Sequence, residues 1–349
     1  MTPRVIAAPR HPISRRRPPS SYESFKDDPI NVTPEARAFW NWAVAPISHD
    51  GLEVRDWMPD EEFRVLSKGA SGGGFLVPTD VQEMVTAAAR AASSVAQVAQ
   101  EIVTDSGATL NMALASTLGT GAWIAESGSY TPSDITVTQQ AMGAFKSATK
   151  IIVSEELRAD EAVEMDAYLA FELGGRLGAL QENAFCVGDG SGKPLGLVHA
   201  SSTIPVVNAA TGSSLLYKLA DLMAVFKALP TGYRANASWL MNADDFASLA
   251  GTADTAGGLV FPSLQFDPPS LFGRPVYIAD LPTPAANAKS LVFGNFKLAY
   301  GIRRVNGVTL QRQDELHSDL GQIGFKALAR VDGRILLSDA ARILAHSAT

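Results

Sequence analysis

Residues 150–196 read KIIVSEELRADEAVEMDAYLAFELGGRLGALQENAFCVGDGSGKPLG, and the rest of the chain is organised around this stretch. Ser154 precedes a run of acidic residues. This pattern indicates a helix start, because a hydroxyl can accept a bond from an orphan backbone N–H and carboxylates suit the positive end of the helix dipole. Apolar residues then recur every three or four positions: Met165, Leu169, Leu173, Leu177, Leu180 and Ala184. The spacing predicts one face of a long amphipathic helix, which the glycine-rich run and Pro194 end.

A second motif, GGGFLVP at residues 72–78, precedes this stretch, and GDGSGKPLGL follows the predicted helix at residues 188–197. These motifs, in this order, resemble the HK97-like major capsid proteins of tailed bacteriophages. In that family a helix beginning near S-E-E-L is the spine of a peripheral domain, and a G-D-G-x-G-x-P-x-G-L run follows it. The resemblance extends from about Phe63 to the C-terminus and leaves the residues before it uncovered.

The resemblance implies an α+β fold with a peripheral domain that contains the spine helix and a sheet, an axial domain, an extended β-hairpin loop and an N-terminal arm. The peripheral domain is expected to be discontinuous. The expected boundaries are residues 1–71 for the arm, 72–116 for the first part of the peripheral domain, 117–147 for the extended loop, 148–204 for the part with the spine helix, 205–318 for the axial domain, and 319–349 for the C-terminal return into the peripheral domain.

Turn and cap signals predict the finer elements. Asn306-Gly307 is typical of a two-residue hairpin turn, and Asp332-Gly333 predicts a second turn near the C-terminus. Residues 215–229 have the apolar spacing of a helix, and residues 233–241 have the composition of a buried strand. Asn242 begins a further short helix, and Asp244-Asp245 is interpreted as a capping or solvated pair.

Residues 119–145 predict a long two-stranded excursion with a Gly/Ser/Pro-rich tip. An isolated hairpin is marginally stable in water, so we expect it to lie on a partner. The resemblance implies an extended loop over an adjacent subunit, with contacts from Trp123, Glu126 and Tyr130. In the type member of that family a lysine in this loop forms an isopeptide bond, whereas residues 125–134 here (AESGSYTPSD) contain no lysine. We therefore predict a shell without lysine-based covalent cross-linking.

The N-terminal region is basic and then aromatic. Residues 1–21 contain five arginines and no acid, including Arg15, Arg16 and Arg17. An arm of this composition is expected to reach across neighbouring subunits or to touch packaged DNA, and a solvated tail is the alternative. The aromatic residues that follow, namely Phe39, Trp40 and Trp42, are expected either to dock on another subunit or to pack back on their own.

The bulk composition limits the function further. The chain has 349 residues, enough for two packed domains, and its content of 46% hydrophobic and 19% charged residues is that of an ordered protein. Its net charge of −7 argues against a protein that coats nucleic acid over its whole surface. No apolar run is long enough for a membrane helix. The single cysteine, Cys186, lies inside the predicted helix and is expected to be a buried thiol of a protein made in the cytoplasm.

Sequence motifs for catalysis are weak. GDGSGK at residues 188–193 lacks the spacing of a phosphate-binding loop and ends a helix instead of beginning one. The five histidines share no metal-ligand spacing, so no metal or cofactor is expected. A Ser-His-Asp triad, whose members meet only in the fold, stays open at this stage.

The sequence therefore predicts a major capsid protein of a tailed phage or gene transfer agent, not an enzyme. Its copies would form hexamers and pentamers of an icosahedral shell around double-stranded DNA, assembled in the host cytoplasm. Portal, scaffold and cement proteins are the further partners that the resemblance implies. The alternatives are a nanocompartment shell of the encapsulin type, and a hydrolase on a capsid-like scaffold.

Overall fold

The computed structural model describes residues 79–117, 136–154, 165–255, 257–313 and 319–348. Its helices are α1 (Thr79–Ala91), α2 (Ser94–Val98), α3 (Met165–Val187), α4 (Leu219–Ala228), α5 (Thr231–Arg234), α6 (Ala243–Ala250) and α7 (Phe296–Ala299). Its strands are β1 (Gln100–Thr104), β2 (Leu110–Thr117), β3 (Thr136–Met142), β4 (Phe145–Ser154), β5 (Val206–Asn208), β6 (Ser238–Met241), β7 (Ser270–Leu271), β8 (Arg274–Ile278), β9 (Leu291–Gly294), β10 (Tyr300–Gln313), β11 (Gln322–Ile335) and β12 (Ala341–Ala345). Short 3₁₀ turns lie at Pro262–Gln265 and Ser338–Ala340.

A four-stranded sheet in the order β1-β10-β11-β4 forms the peripheral part of the molecule. Strand β11 alternates as the sequence suggests, with Phe325, Ala327, Ala329 and Val331 all buried on one face. Helices α1 and α3 pack on this side of the sheet, where the side chain of Gln181 from α3 reaches Ser147 of β4. The alternation thus fixes which face of the sheet the helices cover and which face no helix of the described residues covers, here called the bare face.

Helix α3 is the predicted spine. Leu169, Leu173 and Leu177 are completely buried, but Leu180 is 53% exposed, so its expected place in the buried stripe is wrong. Each four-residue step advances the stripe by about 40° around the helix, so the buried face passes from Leu177 to Gln181 and turns away from Leu180. Ser154 is the last residue of β4, paired with Gln322. The predicted helix start beyond it, at residues 155–164, lies outside the described residues.

A six-stranded sheet in the order β5-β12-β9-β6-β8-β7 forms the axial part. Its core is aromatic: Trp239 and Phe293 stack with ring centroids 4.1 Å apart, and Phe226 from α4 stacks on Phe293 at 5.5 Å. Asn242 caps α6 as expected, because its side chain accepts a hydrogen bond from the N–H of Asp244 at 2.8 Å. Helix α4 begins at Leu219, so residues 215–218 precede the helix predicted over 215–229.

Both predicted C-terminal turns are wrong. Asn306-Gly307 lies inside β10, where the register with β11 shifts between Val305 and Thr309 and Asn306 adopts a φ of 50°. The pair therefore makes a bulge in a continuing strand instead of a hairpin. Gly333 lies inside β11, where a Cβ would stand 2.2 Å from the hydroxyl of Tyr300, so the glycine serves close packing and not a turn.

Strand pairing also differs from the expected boundary at residue 318. Strand β10 lies within the residues expected for the axial domain, yet it pairs with β1 and β11 in the four-stranded sheet. Strand β12 lies within the expected C-terminal return, yet it pairs with β5 and β9 in the six-stranded sheet. The chain thus passes from the axial sheet to the peripheral sheet between β9 and β10 and returns between β11 and β12.

Candidate assembly surfaces

Strands β2 and β3 form a two-stranded ribbon that leaves the four-stranded sheet. They are paired antiparallel from Leu110 opposite Met142 to Thr117 opposite Thr136. No third strand pairs with this ribbon among the residues that the structure describes. The predicted contact residues Trp123, Glu126 and Tyr130 belong to residues 118–135, which lie outside the described ranges. The paired strands thus begin at Leu110, before the expected start of the loop at residue 117. Strand β4 begins at Phe145, before the expected end of the loop at residue 147.

Arg303 anchors the root of the ribbon. Its guanidinium is 2% exposed and donates to four backbone carbonyls. Nη1 lies 2.9 Å from the oxygen of Met142 and 3.0 Å from that of Gly143, and Nη2 lies 2.8 Å from the oxygen of Ser106 and 2.7 Å from that of Ala108. Nε lies 3.0 Å from Oγ1 of Thr104. A guanidinium has five N–H groups, and all five donate here. The residues before β2 and those at the end of β3 are thus both hydrogen-bonded to β10 through Arg303.

Asp332, directly opposite Arg303 on β11, completes the root. Its side chain is fully buried and accepts from the N–H of Gly143 at 2.6 Å and from the N–H of Gly333 at 2.8 Å, and its Oδ2 is 3.5 Å from Nε of Arg334. Burial raises the pKa of this carboxyl, and the neighbouring arginine and the two N–H donors oppose that shift. The turn from β3 into β4 is therefore held from both sides of the strand pair.

Sequence reasoning missed this anchor. Arg303 and Arg304 lie in the stretch IRRV, which reads as an ordinary strand before a turn. Both are buried, and Arg304 is paired through Nε with Oε1 of Glu101 at 2.7 Å and through Nη1 with Oε1 of Gln181 at 3.1 Å. Two adjacent arginines in a strand with apolar flanks were the available signal, because a charge in such a place needs dedicated partners.

The spine helix meets α1 at very short range. A Cβ added at Gly178 would lie 2.3 Å from the carbonyl oxygen of Ala89, and one added at Gly174 would lie 2.5 Å from Cβ of Ala88. Both glycines face the alanine-rich side of α1, so the two helix backbones approach one another where larger side chains would separate them. The intervening Gly175 has nothing within 4 Å of its own Cβ position.

Helix α3 is also joined to α2 by a buried carboxyl. Glu182 is 6% exposed, and its Oε2 accepts from Oγ of Ser93 at 2.5 Å and from the N–H of Val95 at 3.1 Å. Burial raises the pKa of Glu182 against the effect of these donors. Cys186, one turn further along, is completely buried as predicted, and burial together with the nearby Glu182 raises the pKa of its thiol well above the usual value.

The axial part carries exposed apolar side chains that its own core does not cover. Leu215, Leu216 and Leu219 lie together around the start of α4 and are 66%, 43% and 48% exposed. Phe266, after the 3₁₀ turn, is 69% exposed. Clustered exposed apolar residues mark surfaces that contact another protein more often than single exposed ones do.

A buried polar cluster in the axial part tests the idea of a catalytic triad. Ser290 Oγ lies 2.9 Å from Nε2 of His346 and 3.0 Å from the hydroxyl of Tyr217, and the rings of Tyr217 and His346 stack at 3.9 Å. Asp245 Oδ1 is 3.4 Å from the same Nε2. Asp245 is 1% exposed, so its interpretation as a solvated or capping residue is wrong, and burial raises its pKa.

The cluster does not have the geometry of a nucleophilic triad. In a triad the carboxylate holds one ring nitrogen and the serine meets the other. Here Ser290 and Asp245 both approach Nε2 of His346, while Nδ1 is 3.0 Å from the carbonyl oxygen of Ser213. All three side chains are at most 1% exposed, so no substrate can reach the serine. The cluster is a structural network that links the end of β12 to α6 and to the loop before α4.

The loop of residues 188–193 is likewise occupied by its own side chains. Lys193 Nζ is 3.6 Å from Oδ2 of Asp189, and Oδ1 of Asp189 accepts from the N–H of Ser191 at 2.9 Å. These contacts hold the pKa of Asp189 below its usual value. The side chains of this loop thus bond to one another, with Asp189 accepting from the loop backbone and facing Lys193.

Two other classes of site are absent from the described ranges. No three His, Cys, Asp or Glu side chains there converge as they would around a metal ion. No helix in the same ranges combines the length and apolar character that crossing a membrane requires. The arm residues Arg15, Arg16, Arg17, Phe39, Trp40 and Trp42 lie outside the described residues.

Comparison with known structures finds the same fold in capsid chains. The capsid of a native GTA particle is 24% identical, with a TM-score of 0.62 over 73% of this chain and 90% of that one. A chain from Mycobacterium phage Cain is 18% identical, with a TM-score of 0.53 over 74% of this chain and 91% of that one. A chain from Mycobacterium phage Adephagia is 17% identical, with a TM-score of 0.54 and the same coverage of both chains. A sequence search of curated proteins found no match.

These matches confirm the α+β, HK97-like fold expected from the motifs at residues 72–78 and 188–197. A family model described as the phage capsid family matches residues 73–345, which is most of the chain and begins at the GGGFLVP motif. The chain therefore belongs to the phage capsid family.

Proposed function

We propose that this chain is the major capsid protein of a tailed phage or of a phage-derived particle such as a gene transfer agent. Its copies assemble as hexamers and pentamers into an icosahedral shell that encloses double-stranded DNA. The observation that carries this proposal is the family match over residues 73–345, and the shared fold with the capsid of a GTA particle supports it. The role is structural and not catalytic, in agreement with the inaccessible Ser290.

The ribbon and the axial leucines give the proposed contacts. A two-stranded ribbon is marginally stable in water, so its distal part is stabilised by lying on a neighbouring copy, with Trp123, Glu126 and Tyr130 as contacts. The exposed leucines around the start of α4 meet other copies in the same capsomer. Each contact is weak, but a subunit held at several places gains from effective concentration.

The N-terminal arm bridges subunits through Phe39, Trp40 and Trp42, and Arg15, Arg16 and Arg17 face the packaged DNA. Residues 125–134 contain no lysine, so the shell is held by non-covalent contacts or by a cement protein. A scaffold and a portal protein act during assembly in the host cytoplasm, and the product is the virion capsid.

The test is negative-stain electron microscopy of the protein expressed with and without its neighbouring assembly genes, with intact mass measured on the same sample. Closed shells of phage size at the full mass support the proposal. A small, uniform cage that packages protein instead of DNA would favour a nanocompartment, and a discrete small oligomer that never closes into shells would refute both. Deleting residues 1–65 is expected to weaken assembly, and particles of unchanged yield and heat stability would rule out a bridging role for the arm.

A further inference from the structure

The bare face of the four-stranded sheet is strongly basic. Residues directly opposite each other on β4 and β11 share one face, and on the face away from the helices the register places Lys146 opposite Arg330 and Lys150 opposite Lys326. The second half of β10 adds only Thr309, Gln311 and Gln313 to the same face. Four cations thus lie on two adjacent strands. The next residue of β11 on this face is Asp332, whose buried carboxyl accepts from Gly143 and Gly333 and lies 3.5 Å from Nε of Arg334. The guanidinium of Arg330 extends towards the loop before β2, where its Nη1 would lie 2.7 Å from a Cβ at Gly107.

The pair of Lys146 and Arg330 is unfavourable in an isolated subunit, because like charges directly opposite on neighbouring strands repel. Within the described part of the chain, Lys146, Lys326 and Arg330 form no ion pair. The side chain of Lys150 lies across Gly324, whose Cβ position is 2.9 Å from Cε of Lys150. An anionic partner on this face would remove the repulsion.

The same face has an apolar component. Ile152 is 47% exposed and lies next to Lys150 and Lys326, and the half-buried Leu328 lies opposite Ala148. A partner that fits must therefore offer both carboxylates and apolar side chains. A nucleic acid backbone would satisfy the cations but would leave Ile152 and Leu328 against phosphate.

One segment of the chain has this composition. Residues 50–62 read DGLEVRDWMPDEE and contain six acidic residues and one arginine, interleaved with Leu52, Val54, Trp57 and Met58. Residues 118–135, between β2 and β3 in the sequence, contain only two acidic residues, Glu126 and Asp134. Residues 155–164 carry five acids, but apart from Leu157 and Val163 their remaining side chains are alanines and Arg158.

We propose that the basic face of β4 and β11 is the docking surface for residues 50–62 of a neighbouring copy, with carboxylates over Lys146, Lys326 and Arg330 and apolar side chains over Ile152 and Leu328. The contact places the acidic half of the N-terminal arm on the bare sheet of the next subunit. It also leaves the arginine-rich first twenty-one residues free to act elsewhere. The inference rests on the proposed shell function, because it needs copies side by side.

Zero-length carbodiimide cross-linking of wild-type particles tests the contact directly. Particles are assembled from a mixture of unlabelled and ¹⁵N-labelled chains, so a mixed-isotope peptide pair identifies a bond between two copies. The expected product joins Lys146 or Lys326 to an acid of residues 50–62 in mixed-isotope pairs. Pairs of one isotope only, or links from these lysines to residues 155–164 instead, would overturn the proposal. Acetylation of Lys146 and Lys326 in empty and in DNA-filled particles supplies a further check. Protection of these lysines only in the DNA-filled particles would also overturn the proposal, because that result assigns the face to DNA.

Charge reversal supplies an independent test. The variant K146E/K326E/R330E and the variant D60K/E61K/E62K should each lower the yield of closed shells about tenfold, because each opposes like charges across the contact. A chain that carries all six changes should restore the yield, since every face then meets an arm of opposite charge whatever the number of copies in a ring. The control R176E/K227E/K297E, on helices α3, α4 and α7, makes the same change in net charge as K146E/K326E/R330E, and circular dichroism of the soluble subunits checks folding.

The outcomes distinguish a failure of the proposed docking surface from a failure of the proposed capsid function. Wild-type shells together with no rescue by the chain that carries all six changes would refute the docking surface and leave the capsid function standing. Rescue by that chain with cross-links of one isotope only would place the contact within a subunit and also refute the proposal. Absence of shells from the wild type under every assembly condition would refute the capsid function itself.

Discussion

The close approach of α1 and α3 gives a prediction with an internal control. Alanine at Gly178 would place Cβ 2.3 Å from the carbonyl oxygen of Ala89 and 2.8 Å from Cβ of Ala92, so a helix backbone has to move. Alanine at Gly175, three residues away on the same helix, meets nothing within 4 Å. The two substitutions are chemically identical and differ only in the surface that they face.

The expected magnitudes follow from two terms. Replacing glycine by alanine inside a helix stabilises it by about 1 kcal/mol, and this term is common to both variants. Overpacking a tight contact costs about 1–3 kcal/mol, and only Gly178→Ala incurs this cost. Gly175→Ala should therefore raise the free energy of unfolding by about 1 kcal/mol, and Gly178→Ala should lie about 1–3 kcal/mol below it.

The assay is urea unfolding of the soluble subunit, followed by circular dichroism at the helical minimum. The difference between the two variants cancels helix propensity and isolates the steric cost. Equal unfolding midpoints for Gly175→Ala and Gly178→Ala would refute the reasoning, because they would show that α1 and α3 can separate at no cost. A reduced assembly yield for Gly178→Ala alone would add that the spine position matters for the shell.

Three further predictions follow from the ribbon root, the buried carboxyl and the missing lysine. Replacing Arg303 by lysine should speed amide hydrogen exchange in β2 and β3 and destabilise the subunit by about 1–3 kcal/mol, because buried carbonyls lose their donors. The same substitution at the exposed Arg176 is the control. Unchanged exchange in β2 and β3 would exclude an anchoring role for Arg303. Burial raises the pKa of Glu182, so this group contributes a loss of stability as pH rises from 4.5 through its folded-state pKa, and Glu182→Gln removes that contribution. The difference in stability between the variant and the wild type should therefore move in favour of the variant from pH 4.5 to pH 7, and a pH-independent difference would count against this cause. Mature particles boiled in detergent should run as single chains on a denaturing gel, and a ladder of oligomers would contradict the absence of covalent cross-links.

The elements that the sequence predicts well are those set by local patterns. The spacing of Leu169, Leu173 and Leu177 specifies α3, and the side chain of Asn242 caps α6 as its position suggests. The alternation from Phe325 to Val331 specifies the buried face of β11. In each case the period of the side chains matches the period of the backbone, so no distant residue is needed to make the assignment.

The exposed Leu180 follows from the drift of the stripe around α3, whereas the larger misses depend on contacts between distant residues. Asn306-Gly307 has the composition of a hairpin turn, but β11 pairs with β10 on both sides of it, and the pair becomes a bulge. Gly333 is needed because Tyr300 packs against it, which the local sequence cannot indicate. Arg303 belongs to the same class, since its partners at Ser106, Ala108 and Met142 are more than 150 residues away in the chain.

The pairing of β12 between β5 and β9 has a consequence for how the protein is made. Residues 341–345 are an interior strand of the axial sheet, yet they are synthesised after every other strand that the structure describes. A nascent chain that stops before them exposes the unpaired edges of β5 and β9 and lacks His346, which joins β12 to Ser290 and Ser213. Such a chain cannot complete its axial sheet, so we expect prematurely terminated products to be excluded from assembly by their own incomplete folding.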